Sequence, residues 1–354
     1  MSGDEAESRG RIDHPPCIGF QNEFELIQEI ISMYRSGTKQ NVAILGLPYS
    51  GRSTLLAALN GEYKDSSYLV EYNSRITKKR ELLESRYSQP IIFIDGCQYL
   101  FSRRIGGFSV LDDFLEEVAS SSSLFITTWN LHAWNYIRRV REVERFFPKI
   151  IRLSPLSDTE MRECILKDYT EAELQFIGDV DIELPSLLRF TPYPVKLPWK
   201  SEPVEIPLPS VNIDRISLRR QRKEMNLSDE ELVFQKITRM AGGNPGVGKA
   251  IWKKSFVYPT VNLKDYVPMR MPDPLLRNDA FILGIIAMTG NISREELEGA
   301  AGGEYSICPT LYRLLSLGVI MKSNGGYQVC PEALLLVNEM LLKLRIVWES
   351  TTHD

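Results

Sequence analysis

The chain has 354 residues, with 43% apolar and 25% charged residues. This globular composition and length allow two or three domains with a sizeable core. The formal net charge of -4 gives no overall attraction to nucleic acid. We find no run of 18 apolar residues, so no membrane-spanning helix is predicted. The five cysteines include no CxxC pair, so we expect free thiols in a reducing cytoplasm rather than disulfides or a zinc site.

Short apolar runs alternate with helical patterns over the first part of the chain. The runs predict strands at 41–45, 68–72, 91–94, 124–128 and 150–153. Helical spacing of apolar residues predicts helices at 18–33, 53–59 and 110–118. Strands buried on both faces and separated by helices are typical of a parallel sheet. We therefore predict an α/β core over 18–155. It follows a polar segment, 1–17, which we expect to be flexible and not a secretory signal.

The composition changes after residue 155. Helical patterns at 158–169, 227–240 and 247–254 predict a helical lid over 156–256. Within it, Pro185–Pro209 holds seven prolines, which remove backbone donors and prevent helix formation, and a basic cluster follows at Arg215–Lys223. We interpret about 175–225 as an extended insert in the lid.

A glycine-rich loop, Gly46-Leu47-Pro48-Tyr49-Ser50-Gly51-Arg52-Ser53, joins the first predicted strand to a predicted helix. This is the context that a P-loop requires. Glycines let backbone N–H groups turn toward phosphate oxygens, and the helix N-terminus adds partial positive charge. A serine hydroxyl at the helix start suits Mg²⁺. We predict that ATP or ADP binds with Mg²⁺, the metal on Ser53, through Gly46, Pro48, Tyr49, Ser50, Gly51, Arg52, Ser53 and Thr54.

Arg52 stands where P-loops usually carry lysine. Arginine keeps the positive charge, but its head is a wide planar fork rather than a compact ammonium. It can pair with phosphate and still misplace the γ-phosphate. The residue therefore favours nucleotide binding over fast hydrolysis. The alternative for the whole segment is a glycine turn that binds no ligand.

An aspartate, Asp95, ends the predicted strand at 91–94. Ligands of open α/β sheets bind at the carboxyl ends of the strands, so we predict Asp95 in the Mg²⁺ shell. The alternative is a carboxylate that only caps the strand. The next residue is Gly96 rather than an acid, and the nearby Gln98 is a poor base. These features predict slow or absent turnover.

In this order, the elements resemble the AAA+/STAND superfamily of P-loop ATPases, particularly the archaeal ATPase group and the archaeal origin-recognition ATPases. The resemblance covers about residues 18–345. The segment Ile18–Glu23 is similar to the FxGRxxE box near adenine: Gly19 and Glu23 match, and Phe20 replaces the usual arginine. Gly243-Asn244-Pro245 resembles the STAND GxP element or the AAA+ sensor 2 helix. The resemblance implies that Glu23 and Pro245 contact the nucleotide.

The resemblance implies roles for two further residues. Asn130, which follows the predicted strand 124–128, resembles the sensor 1 position that contacts γ-phosphate or attacking water. Arg145 resembles an arginine finger, which reaches the nucleotide of a neighbouring subunit. With Asp95 they form the predicted catalytic set. The alternatives are a turn-forming asparagine and a solvated basic helix face.

The segment 275–345 predicts a winged helix. Three helical patterns, one opened by a capping box at Ser293–Glu296, precede a hairpin turn at 323–326. The segment holds six basic and seven acidic residues, and its predicted recognition helix carries only Arg313. Because DNA binding draws on phosphate neutralisation, packing on a protein surface is favoured.

Three functions remain open. The favoured one is a nucleotide-dependent switch: ATP between sheet and lid locks the winged helix against the core, and exchange or slow hydrolysis frees it. The second is an origin-recognition-like ATPase that binds DNA through the winged helix and the Arg215–Lys223 cluster. The third is a degenerate P-loop that serves as an interaction scaffold. The predicted partners are nucleotide and a protein or second copy, with DNA less favoured and no membrane.

Overall fold

The computed structural model describes residues 18–77, 89–167, 169, 174–178, 188–195, 204–211, 227–270, 275–303 and 305–347. The helices are α1 Gln21–Arg35, α2 Arg52–Glu62, α3 Ser109–Ser120, α4 Leu131–Arg141, α5 Asp158–Leu166, α6 Asp229–Ala241, α7 Pro245–Ser255, α8 Arg277–Thr289, α9 Arg294–Ala301, α10 Ile307–Ser316 and α11 Leu334–Lys343. The strands are β1 Val42–Gly46, β2 Ser67–Glu71, β3 Ile91–Asp95, β4 Leu124–Asn130, β5 Lys149–Arg152, β6 Gln175–Ile177, β7 Leu188–Val195, β8 Val204–Val211, β9 Thr260–Asn262, β10 Ile320–Ser323 and β11 Gly326–Val329.

Two of the predicted features lie outside the described residues: the N-terminal segment 1–17 and the basic cluster Arg215–Lys223. No described helix has the length and apolarity needed to cross a membrane.

Five parallel strands form the central sheet in the order β2-β3-β4-β1-β5. Strands β1 and β4 are buried along their whole length, as expected for strands covered on both faces. The α/β P-loop fold predicted from the sequence is therefore confirmed. Because the strands are parallel, β1, β3 and β4 all end at the same edge of the sheet. In the pairing of β1 with β4, Gly46 lies opposite Asn130.

An aromatic cluster packs beside β4. Trp129, Trp134 and Phe147 are fully buried, and their rings meet edge to face with centroids 5.4 to 6.1 Å apart. Such pairs add to the free energy gained by burying aromatic area. They fix α4 and the approach to β5 against the strand that ends at Asn130.

The chain divides into two compact units: 1–168 with 237–254 and 268–354, and 169–236 with 255–267. The predicted lid segment, 156–256, is shared between them, with α5 and most of α7 in the first. The second unit contains the parallel pair β6–β9 and the antiparallel hairpin β7–β8. The short strands β6 and β9 carried no sequence signal that we used.

The C-terminal module, residues 275–347, belongs to the first unit. Helices α8, α9 and α10 precede the antiparallel pair β10–β11, and α11 follows. The capping box predicted at Ser293 is confirmed, with Ser293 and Glu296 bonded reciprocally. Buried Asp279 of α8 accepts hydrogen bonds from Thr310 Oγ1 at 3.2 Å and Arg313 Nη2 at 2.6 Å of α10. The one arginine of the predicted recognition helix therefore serves the module's own interior.

The hairpin β7–β8 has edges that are poor in hydrogen-bond donors. Pro192 pairs with Pro207, and since proline has no N–H this pair cannot exchange ladder bonds. Hydrogen-bonded and non-hydrogen-bonded pairs alternate along an antiparallel ladder. The pairs two positions away on either side, Phe190 with Pro209 and Pro194 with Glu205, are therefore also non-hydrogen-bonded. Backbone groups of such pairs point away from the partner strand, so the prolines remove outward donors from both edges. Edges of this kind resist pairing with another chain.

Replacing Pro192, Pro194, Pro207 and Pro209 by threonine should make the chain self-associate, because outward donors return to both edges. Light scattering after gel filtration should give a higher mass than wild type at the same concentration. The control, Pro198→Thr with Pro203→Thr, alters prolines outside the two strands and should leave the mass unchanged. Equal masses for the fourfold variant and wild type would contradict this role.

Buried His132 should make the fold acid-sensitive. It is 3% exposed, and neither ring nitrogen has a hydrogen-bond partner among the residues described. Burial lowers its pKa from 6.5 to about 4. Between pH 6.5 and about 4 the unfolded chain binds a proton that the folded chain does not. As the pH falls through that window, the free energy of unfolding should therefore decrease by about 1.4 kcal/mol per pH unit. Above that window this group should have no effect on stability.

Denaturant unfolding at pH 7 and pH 5 measures this effect. His132→Leu should lose less stability than wild type between the two pH values, because leucine does not titrate. An equal loss in both proteins would mean that other groups cause the acid sensitivity.

Candidate functional site

The predicted phosphate loop connects β1 to α2 in the structure. Gly51 has φ +90°, a left-handed conformation that favours glycine, and a Cβ there would lie 2.8 Å from the Phe20 ring. A Cβ on Gly46 would overlap Ser50 Oγ. Ser53 and Thr54 lie exposed in the first turn of α2. The sequence has glycine at the two places where the loop leaves no room for a side chain.

Two polar atoms of the loop are buried without a hydrogen-bond partner in the part of the chain that the structure describes. Arg52 is partly exposed as a residue, but its Nη1 atom is buried, as is Ser50 Oγ, and neither has a hydrogen-bond partner within the described residues. Burial lowers the pKa of Arg52 to about 10, although the charge of Asp95 acts in the opposite direction. The guanidinium therefore stays protonated at neutral pH. A buried cation with an unused donor is costly unless an anion completes it, so these residues fit a phosphate group.

A cavity of about 280 Å³ opens beside the loop. Three of its lining residues are cations, Arg52, Lys167 and Lys249, and none of the described lining residues is a carboxylate. The remaining lining residues are Ile18, Phe20, Tyr49, Ser50, Gly51, Ser53, Thr54, Cys164, Pro245 and Gly246. Apolar walls with convergent positive charge suit an organic anion such as a nucleotide. The sequence did not reveal Lys167 or Cys164, because α5 has no motif that marks its end as part of a site.

Asp95 is held by Thr128 of the neighbouring strand. Thr128 Oγ1 donates a short hydrogen bond to Asp95 Oδ1 and accepts one from Gly96 N at 3.0 Å. Gln98 Oε1 accepts from Asn130 N at 3.3 Å. Gln98, which lies two residues after the position where a water-activating acid would stand, is therefore bonded to β4. Thr128 was missed by sequence reasoning, which took Asn130 as the polar end of the strand.

The segment at the start of α7 is bonded directly to the phosphate loop. Asn244 Nδ2 donates to Pro48 O at 2.8 Å, and Gly246 N donates to Tyr49 O at 3.0 Å. Pro245 occupies the first position of α7, where its missing N–H costs nothing. The N-termini of α2 and α7 both lie at the cavity, and both carry partial positive charge.

The other predicted site residues lie outside this cavity. Glu23 is buried, and its Oε1 accepts from Ser154 N at 3.3 Å. Asn130 is 1% exposed: its Oδ1 accepts from His132 N, and its Nδ2 donates to Ala287 O of α8 at 2.8 Å. Arg145 is exposed and paired with Glu142 at 2.7 Å. Their roles at a nucleotide stay predictions.

Gly51→Val should weaken ATP binding on the order of a hundredfold, because displacing the loop removes at least two phosphate contacts. Gly299→Val is the matched control, since a Cβ at Gly299 of α9 has nothing within 4 Å. Isothermal titration gives both affinities, and circular dichroism checks that both variants fold. Wild-type affinity in folded Gly51→Val would rule out this loop as the phosphate site.

No family model and no curated protein matches the chain. Three similar solved structures are RuvB, the Holliday junction branch migration motor of Thermotoga maritima, ORC2 of Aeropyrum pernix in its ADPNP and ADP complexes, and a Walker-type ATPase of Pyrococcus abyssi. Identities are 14%, 10% and 14%, with TM-scores of 0.41, 0.40 and 0.38. The matches cover 90%, 95% and 91% of this chain and 94%, 97% and 96% of those chains.

Matches with TM-scores this low assign no function to the chain, so a function has to be inferred from the chain's own residues. By its own strand order, its glycine loop between β1 and α2 and its aspartate at the end of β3, the chain has the α/β fold of P-loop NTPases.

Proposed function

We propose that the protein is an ATP-binding molecular switch with slow hydrolysis. The observation that carries the proposal is a pair of buried atoms, Arg52 Nη1 and Ser50 Oγ, that have no hydrogen-bond partner among the described residues. They belong to a glycine loop beside a cavity with two further cations. A phosphate group would satisfy both atoms. A triphosphate matches the positive charge of the cavity better than a neutral ligand does.

The nucleotide and its metal would be held by different parts of the strand edge. Backbone N–H groups of the loop and Arg52 bind the phosphates, while Ser53 and Asp95 hold Mg²⁺. When bound, the metal offsets the phosphate charge and orients the terminal phosphate. Thr128 orients the Asp95 carboxylate, since its hydroxyl donates to one carboxylate oxygen.

Slow turnover follows from the residues around Asp95. Gly96 offers no side chain, and Gln98 is occupied by its hydrogen bond to Asn130 N. Neither can activate a water molecule as a carboxylate would. Arg52 adds a second obstacle, because its planar fork positions a phosphate differently from an ammonium group.

The switching element of the proposal is the C-terminal module, which covers the strand ends. Ala287 O accepts from Asn130 Nδ2 at 2.8 Å, and Asn291 N donates to Tyr99 Oη at 3.2 Å. Arg103 of the core lies 5.3 Å from the centroid of the Phe281 ring. A module bonded to residues next to the site gains or loses contacts when those residues move, which is the requirement for a nucleotide-driven change.

The charge of the C-terminal module favours a protein surface over DNA as the module's target. That surface lies either on this chain or on a partner. The segment holds six basic and seven acidic residues, and Arg313 is paired with buried Asp279. DNA affinity depends on the neutralisation of several phosphates, and this module has few cations that could neutralise them. Arg145 is exposed and so accessible to a second copy, which is where a finger residue would act.

We expect ATP and ADP to bind in the presence of Mg²⁺ and turnover to stay below about 1 s⁻¹, the lower end of ordinary enzymes. Titration calorimetry and phosphate release measure the two quantities. Arg52→Lys should keep binding and raise turnover, since lysine has the compact ammonium that the loop usually carries. Absence of binding at millimolar ATP and ADP would refute the function, and turnover well above 1 s⁻¹ would refute the slow switch.

A further inference from the structure

Tyr49 lies in the phosphate loop and has bonds in two directions. Its backbone O accepts from Gly246 N, at the start of α7, at 3.0 Å. Its Oη donates to Val329 O of β11 at 2.7 Å. One residue of the loop is thus bonded both to the lid segment and to the C-terminal module.

The backbone of Tyr49 makes these two bonds sensitive to the loop's geometry. Its φ is 65°, in the left-handed region that side-chain-bearing residues rarely adopt. Conformations of this kind persist only where the surroundings hold them. A phosphate that drew the loop's N–H groups toward itself would change the torsions at Tyr49, and with them the distance from Oη to Val329 O.

The hydroxyl is also a dependable donor. Burial raises the pKa of Tyr49 above its ordinary value, and the nearby Cys330 and Glu332 act in the same direction. The hydroxyl therefore stays protonated at physiological pH, and its bond to the carbonyl does not depend on titration. Val329 O belongs to the backbone of the hairpin, so the bond is insensitive to side-chain rotamers there.

The other hydrogen bonds from the module to the strand ends differ from this one. Tyr99 follows β3 and Asn130 ends β4, and both bond to the α8 end of the module. They hold the module on the core but do not belong to the loop that phosphates approach. Tyr49 instead contacts β11, which comes later in the module than α8, α9 and α10.

We propose that Tyr49 is the positioning residue that couples the phosphate loop to the C-terminal module. The proposal rests on the nucleotide binding proposed above and adds which residue transmits it. Thermodynamic linkage makes the coupling reciprocal: nucleotide changes the module's attachment through Tyr49, and the attachment changes nucleotide affinity by the same factor.

The test compares Tyr49→Phe with wild type by hydrogen exchange at residues 326–330, with and without Mg-ATP. In wild type we expect nucleotide to change the exchange of this segment. Tyr49→Phe keeps the ring but removes the donor, so exchange without nucleotide should be faster and the nucleotide-induced change should be lost. ATP affinity should shift on the order of fivefold, the size of one neutral hydrogen bond.

Two further variants separate coupling from general loosening. Tyr34→Phe removes a similar bond, from Tyr34 Oη to Ser122 O at 3.1 Å, and should leave both exchange and its response to ATP unchanged. Tyr99→Phe removes the core hydroxyl that accepts a hydrogen bond from Asn291 N of the module, at another strand end. It should speed exchange while keeping the response to nucleotide.

The outcomes distinguish this proposal from the one on which it rests. If calorimetry detects ATP binding but wild-type exchange at 326–330 does not respond, the loop is not coupled to the module and the inference is wrong. The inference is also wrong if Tyr49→Phe responds like wild type, or if Tyr99→Phe loses the response equally. No ATP binding in wild type would remove the proposed function itself.

Discussion

The parallel pairing of β4 with β1 on one side and β3 on the other is the constraint on which the candidate site depends. It brings Gly46 opposite Asn130 and leaves Asp95 within a hydrogen bond of Thr128. In each of these two pairs the partners are far apart in sequence. A shift of one residue in a strand turns every side chain to the opposite face, so the buried aromatic and aliphatic side chains of β4 fix the register of the polar residues at its end.

Arg52, whose Nη1 atom is buried, shows where the chain gives up stability at the candidate site. A guanidinium with an unsatisfied donor is a net cost to folding. Asp95 offsets part of the cost through its charge, but Thr128 also uses that carboxylate. Features that break the rules of a stable interior concentrate at functional sites, and this one coincides with the glycines that let a ligand approach the backbone.

The sequence was sufficient to predict the features that local chemistry determines. The phosphate loop, Asp95 at a strand end and the Ser293 capping box depend on a few consecutive residues, and the structure places each where it was expected. Thr128 was missed because a polar residue inside a strand has no local signal until its neighbour is known. Lys167 and the bond from Tyr49 to Val329 were missed for a related reason: they join segments more than 100 residues apart, and no periodicity encodes that proximity.

Glycine placement illustrates the same limit. Gly51 was predictable from the motif, and its positive φ follows from the loop. A side chain at Gly51 would also collide with the ring of Phe20. Phe20 stands where the FxGRxxE box has its arginine. From the sequence, Phe20 could be recognised only as a departure from the FxGRxxE pattern. Only the fold relates it to the loop, where an apolar ring now packs against the glycine.

The strength of the hydrogen bonds between core and module suits the proposed switch. A neutral hydrogen bond contributes about 1 kcal/mol net, so the bonds from Tyr49, Tyr99 and Asn130 amount to a few kcal/mol in addition to the packing of buried Met288. Reversing a population from 1:99 to 99:1 needs about 5.5 kcal/mol of differential binding. The summed free energy of these hydrogen bonds lies within what the differential binding of a nucleotide could offset in the proposed switch.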